Sequence, residues 1–237
     1  MSKLKKSILI VVLVLLVDQI LKFWIKTNMA LGDEFSVLGH WFLIHFVENN
    51  GMAFGFEFGG SYGKIFLSVF RLVAIGAIGW YILKLVKKDI PMGFIACVSL
   101  IFAGAIGNVI DSAFYGMIFS DSYGHVATLF PSGGGYAGFL HGRVVDMFYF
   151  PLFSGVYPSW VPFAGGSDFQ FFRPVFNVAD SAISVGIFSI IIFYRTQFNK
   201  LGEKEKKGEE LPEEDQPVIS LKTEEPEISM KDESKEI

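Results

Sequence analysis

Residues 92–112 read MGFIACVSLIFAGAIGNVIDS, and residues 175–194 read VFNVADSAISVGIFSIIIFY. Each is about as long as a helix must be to cross the hydrocarbon of a bilayer, roughly 20 mostly apolar residues. Each carries the same polar string near one end: Asn108-Val109-Ile110-Asp111 in the first, Asn177-Val178-Ala179-Asp180 in the second. At i,i+3 the Asn and Asp share a helix face, so the amide can hold a nearby carboxylate. Working outward, residues 7–25 (SILIVVLVLLVDQILKFWI) and 65–86 are two further apolar runs of spanning length. The fold expected is therefore a membrane all-α domain of four transmembrane helices.

The flanking cations predict the direction of the chain. Lys3, Lys5 and Lys6 precede the first span, and Lys84, Lys87 and Lys88 lie between the second and third. Arg195, Lys200, Lys204, Lys206 and Lys207 follow the fourth. The other connections are poorer in cations, so the positive-inside rule places both termini in the cytoplasm. Segments 26–64 and 113–174 then face outward. Residues 34–58 are rich in β-branched and aromatic residues with glycine punctuation, which predicts a small extracytoplasmic antiparallel β-sheet. Segment 113–174, with strings such as FPSGGGYAGFLHG and YPSWVPFAGG, reads as a long extracytoplasmic loop whose rings suit the headgroup layer. The first span resembles a secretory leader. However, no small-x-small cleavage site follows, and Asp18, Gln19 and Lys22 interrupt the apolar run, so it reads as an uncleaved span.

Composition agrees. Of 237 residues, 51% are hydrophobic and only 19% charged, against about 25% charged in an ordinary soluble domain. From Lys200 onward there are 7 Lys and 13 acidic residues, while 1–199 carries 13 basic and 11 acidic. The acidic balance belongs to the tail 200–237, which is poor in aromatics and expected to be disordered in the cytoplasm. With one cysteine, Cys97, there is no disulfide framework. Cys97 lies in an apolar span and reads as packing. The four histidines form no tight metal spacing, and no basic stripe with interleaved aromatics points to nucleic acid. Trp24, Trp41, Trp80 and Trp160 read as interface anchors or sheet packing.

The chemistry rests on acids where the solvent is lipid. Ionisable residues in membrane spans are costly and call for a partner or a function. Asp18 and Lys22 stand at i,i+4 and can pair, as helix–helix glue or as part of a site, and Arg71 can reach for the surface. Asp146, in the apolar stretch GRVVDMF, is a third acid beside Asp111 and Asp180. Two carboxylates meeting at a membrane surface share a proton, one acting as general base on water and the other as acid. Spacing alone leaves open which two of Asp111, Asp146 and Asp180 form the pair. It also leaves open a small transporter or scaffold that binds a cation or proton. Serine proteolysis within the membrane would want a G-x-S-G string, and a presenilin-type enzyme a G-x-G-D; neither occurs.

Five strings, in order, resemble bacterial lipoprotein signal peptidase, the type II signal peptidase of the aspartyl family. They are Asp18-Gln19-x-x-Lys22, Asn49 to Gly55 (NNGMAFG), Gly104 to Asp111 (GAIGNVID), Gly142 to Asp146 (GRVVD) and Phe176 to Ser181 (FNVADS). The resemblance runs through most of 1–199 and implies a membrane aspartyl endopeptidase with Asp146 and Asp180 as its catalytic dyad. Asn108, Asp111 and Asn177 would orient the dyad, and Asn49 would touch the substrate backbone beside Gly51. Asp18 and Lys22 would support from the first span, and Arg143 would hold a substrate carbonyl or its own loop. The implied substrate is a prolipoprotein, cut before a diacylglyceryl-modified cysteine, with enzyme and substrate meeting in membrane lipid. The implied setting is the bacterial cytoplasmic (inner) membrane. No metal or organic cofactor, no nucleic acid and nothing beyond a monomer is expected, and cyclic peptides of the globomycin type are expected to inhibit. The sequence departs from the family pattern at Ser112, where arginine is usual. It departs again in the longer stretches from Asp111 to Asp146 and from Asp146 to Asn177, and in the acidic tail.

Overall fold

The computed structural model describes residues 1–50 and 60–207. Helix α1 spans Lys3–Asn28, with the Ser2 side chain accepting from the Lys5 amide at its start. Strands β1 (Glu34–Leu38) and β2 (Phe42–Asn49) follow, then α2 (Gly60–Leu85) and α3 (Met92–Ile110). Helix α3 runs on through a π-helical turn, Asp111–Tyr115, and a short turn, α4, Gly116–Ile118. Strand β3 is Val144–Tyr149, β4 Phe153–Val156, β5 Asp168–Phe171 and β6 Val175–Phe176. Helices α5 (Val178–Phe193) and α6 (Arg195–Lys207) close the described chain.

Among the described residues, three helices are long and apolar enough to cross a membrane: Lys3–Asn28, Phe66–Leu85 and Met92–Ile118. A fourth is reached only if α5 is counted with α6, which turns away from it by 83°. Helix α5 has 16 residues and is about 24 Å long at 1.5 Å per residue. The expected fourth span, 175–194, therefore begins late. Residues 175 and 176 pair with Tyr149 and Phe148 as a strand, and Asn177 caps the helix that starts at Val178. The tail expected to be disordered from residue 200 instead continues α6 through Lys207, with Leu201 buried against Ile82, Leu85 and Phe94.

Helix α3 is the hub, packing on α1, α2 and α5. Two glycines of α3 permit close approach to α1 and α5. A Cβ at Gly104 would collide with the Ala179 carbonyl, and one at Gly107 would lie 2.8 Å from Asp18 Oδ2 and 3.1 Å from Ala179 Cβ. Small residues let backbones meet where lipid gives helices no hydrophobic reason to associate. Here they bring the ends of α1, α3 and α5 together.

The main sheet is antiparallel, in the order β1-β2-β3-β6. Segment 113–174 is thus not simply a loop. It supplies β3 to this sheet and forms a separate β4–β5 hairpin in which Phe153 stacks on Phe171 at 4.4 Å. One sheet face packs on the end of α1 and on the 113–143 segment through Phe46, Val145, Met147, Tyr115 and Phe119. The opposite face carries Asp146.

Candidate active site

The site forms where β3, the start of α5 and the ends of α1 and α3 converge. In β3, Val47 of β2 stands opposite Asp146, which fixes the Asp146 side chain on the face away from the Phe46 core. Asp146 is 4% exposed. Its Oδ1 accepts from Asn177 Nδ2 at 2.7 Å, and its Oδ2 from Asn49 Nδ2 at 3.4 Å. Burial chiefly, and then the Asp180 charge, push the Asp146 carboxyl up to about 7, against the opposing pull of Lys22 and Asn49.

Asp180 arrives by a different route. Asn177 is the N-cap of α5, and Asp180 is its third residue. The Asn177 side chain accepts from the Asp180 amide at 2.9 Å, while the Asp180 carboxylate accepts from the Asn177 amide at 3.3 Å. This reciprocal capping box satisfies two helix-end donors and fixes the Asp180 rotamer. Asp180 Oδ1 also accepts from Asn108 Nδ2 at 2.7 Å. A single residue, Asn177, therefore holds both acids, Asp146 by its side-chain amide and Asp180 by its backbone N–H.

Beneath them lies a buried polar network. Lys22 Nζ donates to Asp18 Oδ2 at 2.9 Å, to Asp111 Oδ2 at 2.8 Å and to Asn108 Oδ1 at 2.9 Å, and the three charged side chains are fully buried. Asp18 Oδ1 accepts from the Ala179 amide at 2.9 Å, and Asp111 Oδ2 accepts from the Val145 amide at 3.2 Å. Each supporting acid thus grips the backbone beside a member of the upper pair: Ala179 precedes Asp180, and Val145 precedes Asp146. Gln19 donates to Asp18 and Asp111 and accepts from the Tyr115 hydroxyl. Breaking a buried charge network by removing one partner costs ~3–5 kcal/mol, so loss of any one of these charges is strongly destabilising.

With its pKa raised to about 7 by burial and by the Asp180 charge, Asp146 can carry a proton near neutral pH. That arrangement offers a base and an acid on one side of a substrate. Among the described residues, no group of three or more His, Cys, Asp or Glu is placed to hold a metal ion.

The profile of the family described as Signal peptidase (SPase) II matches residues 10–196. The chain belongs to the signal peptidase II family. Within it, a lipoprotein signal peptidase of Porphyromonas gingivalis is 54% identical over 211 residues, covering 88% of this chain and 92% of that one. Another from Amoebophilus asiaticus is 37% identical, covering 82% and 80%. A bacterial membrane enzyme solved at 1.9 Å by the in meso method superposes with a TM-score of 0.53 at 29% identity, over 79% of this chain and 91% of its own. The protein is therefore a bacterial membrane peptidase of this family.

Of the residues singled out from sequence, Asp18, Lys22, Asn49, Asn108, Asp111, Asp146, Asn177 and Asp180 meet in one network. Arg143 does not join it and turns instead to Glu48 on the other sheet face. Gly51 lies outside the described residues. Ser112, where the family usually has arginine, is buried and donates to the Asn108 carbonyl at 3.1 Å. Sequence reasoning gave Gln19 no role, although it stands inside the quoted Asp18–Lys22 string. Arg71, read as able to reach for the surface, is half-buried.

Proposed function

We propose that this member of the signal peptidase II family is an aspartyl endopeptidase with Asp146 and Asp180 as its catalytic pair. As a family member it removes signal peptides from prolipoproteins. In the proposed reaction it cleaves the peptide bond before a diacylglyceryl-modified cysteine. The ionised carboxylate takes a proton from water, which attacks the scissile carbonyl. The protonated carboxyl donates to the carbonyl oxygen as it gains charge. Collapse of the tetrahedral intermediate returns a proton to the leaving amine and regenerates the shared-proton state. The observation that carries this reading is the double grip of Asn177 on Asp146 and Asp180, with Asp146 pushed up to about 7.

The same reading places residues 1–199 as a four-span domain in the cytoplasmic membrane, with both termini inside and the pair at the outer face. Lysines near the first helix start and between α2 and α3 support that direction. The enzyme acts as a monomer, needs no cofactor, admits its substrate from surrounding lipid, and is inhibited by globomycin-like cyclic peptides. Purified protein in detergent, incubated with a lipidated lipobox peptide, is expected to release the fragment ending just before the cysteine. Asp146→Asn and Asp180→Asn, folded as wild type, are expected to release almost none. Near-normal turnover by either variant defeats the assignment. A pH-dependent ion flux without cleavage would favour a transporter.

A further inference from the structure

The fold buries a second charged cluster that the proposed reaction does not use. Glu48 of β2 is enclosed, its side chain 1% exposed. Its Oε1 accepts from Lys26 Nζ of α1 at 2.6 Å, and its Oε2 from Arg143 Nη1 at 2.9 Å. Lys26, fully buried, also donates to Ser122 Oγ at 2.8 Å and lies 5.1 Å from the Tyr136 ring centroid. The Arg143 guanidinium sits 5.0 Å from the same ring and 5.2 Å from Tyr123. The ring faces help to balance two cations held around one anion.

The position of this cluster in the sheet gives it a purpose. In the β2–β3 ladder Val47 opposes Asp146, Glu48 opposes Val145 and Asn49 opposes Val144. Side chains alternate between faces. Asn49 and Asp146 therefore share one face, and Glu48 and Arg143 share the other. A bulge between Ile44 and Val47 interrupts the ladder just before these residues, so pairing upstream does not dictate the register of 47–49. A slip of one residue would exchange the faces, pointing Asn49 away from Asp146 and burying its amide in the Phe46 core. Buried ion pairs are best attested as devices that select one register. Here the pair is tied to a third point, α1, four residues beyond Lys22.

We propose that Glu48, clamped by Lys26 and Arg143, is a positioning residue that locks the register of β2 on β3 behind the active face. It thereby sets Asn49 against Asp146 without touching substrate. This rests on the aspartyl reading of Asp146.

The test uses Arg143, whose side chain is 26% exposed, so its replacement leaves Glu48 still paired with Lys26. In the full-length enzyme, Arg143→Gln is expected to lower kcat about tenfold with KM within twofold. It is also expected to speed backbone hydrogen exchange in residues 42–49 at least fivefold. Arg143→Lys, which keeps the charge, is expected to stay within threefold of wild type in both. A raised KM with unchanged kcat would overturn the proposal and make Arg143 a substrate contact. Unchanged kcat with unchanged exchange would also overturn it. Wild-type cleavage of the same peptide is the control: its absence would count against the peptidase reading, while the exchange comparison would still decide the register lock.

Discussion

Asp146→Asn makes a prediction that separates chemistry from packing. Folding raises the Asp146 pKa from an ordinary 3.8 to about 7, chiefly by burial. The folded state therefore holds this proton more tightly than the unfolded chain. The associated stability is complete below about pH 4 and is lost as pH rises through about 7. At 1.36 kcal/mol per pH unit the full loss is ~4 kcal/mol, an upper figure because Asp146 and Asp180 interact and part of the shift belongs to the pair. Asparagine mimics the protonated acid in shape and carries no charge at any pH. At pH 5, Asp146→Asn is expected to be the more stable by no more than ~2 kcal/mol. At pH 8.5 it is expected to be the more stable by ~2–4 kcal/mol, while cleavage is lost at both. Denaturant unfolding in a mild detergent, followed by tryptophan fluorescence at the two pH values, measures this. A difference between variant and wild type that does not change with pH would refute a buried, proton-holding Asp146.

Other predictions concern the supports. Asn177→Ala removes the α5 cap, worth ~1 kcal/mol, and the donor to Asp146; a loss of kcat of roughly 100-fold with an intact helix signal is expected from steady-state cleavage and circular dichroism. Lys22→Met leaves Asp18 and Asp111 buried without their cation and is expected to destabilise by ~3–5 kcal/mol, read as a lowered unfolding midpoint. Gly104→Ala forces α3 off the Ala179 carbonyl and is expected to cost ~1–3 kcal/mol and most activity. Ala105→Gly, one position along, should not reproduce the activity loss.

Much of this site is legible in the linear chain because its parts are local. The two N-V-x-D strings lie on helix ends, where i,i+3 geometry alone places amide beside carboxylate, and Asp18 with Lys22 follows from i,i+4. What joins the strings is not local. Asp146 meets Asn177 at the start of α5 because β3 pairs with β6, and β6 is two residues inside what hydropathy counts as a span. A strand that short has no period to detect. The Gly- and Phe-rich composition of 113–174 likewise conceals β3, which earns its place by pairing with β2 some hundred residues earlier. Lys26 and Glu48 resist sequence reading for a related reason: a lone charge near a helix end or in a strand ordinarily reads as solvated, and only the fold shows it enclosed.

Asp146 and Asp180 are proposed to titrate as one unit, and the carboxyl resonance of Asp146 followed against pH decides whether they do. In wild type it is expected to titrate near 7. In Asp180→Asn, where the neighbouring charge is gone and burial is the main remaining upward push, it should move down yet stay above the ordinary range. An Asp146 titration that is identical in the two proteins would mean that the acids do not sense each other, and the proposed mechanism would be wrong.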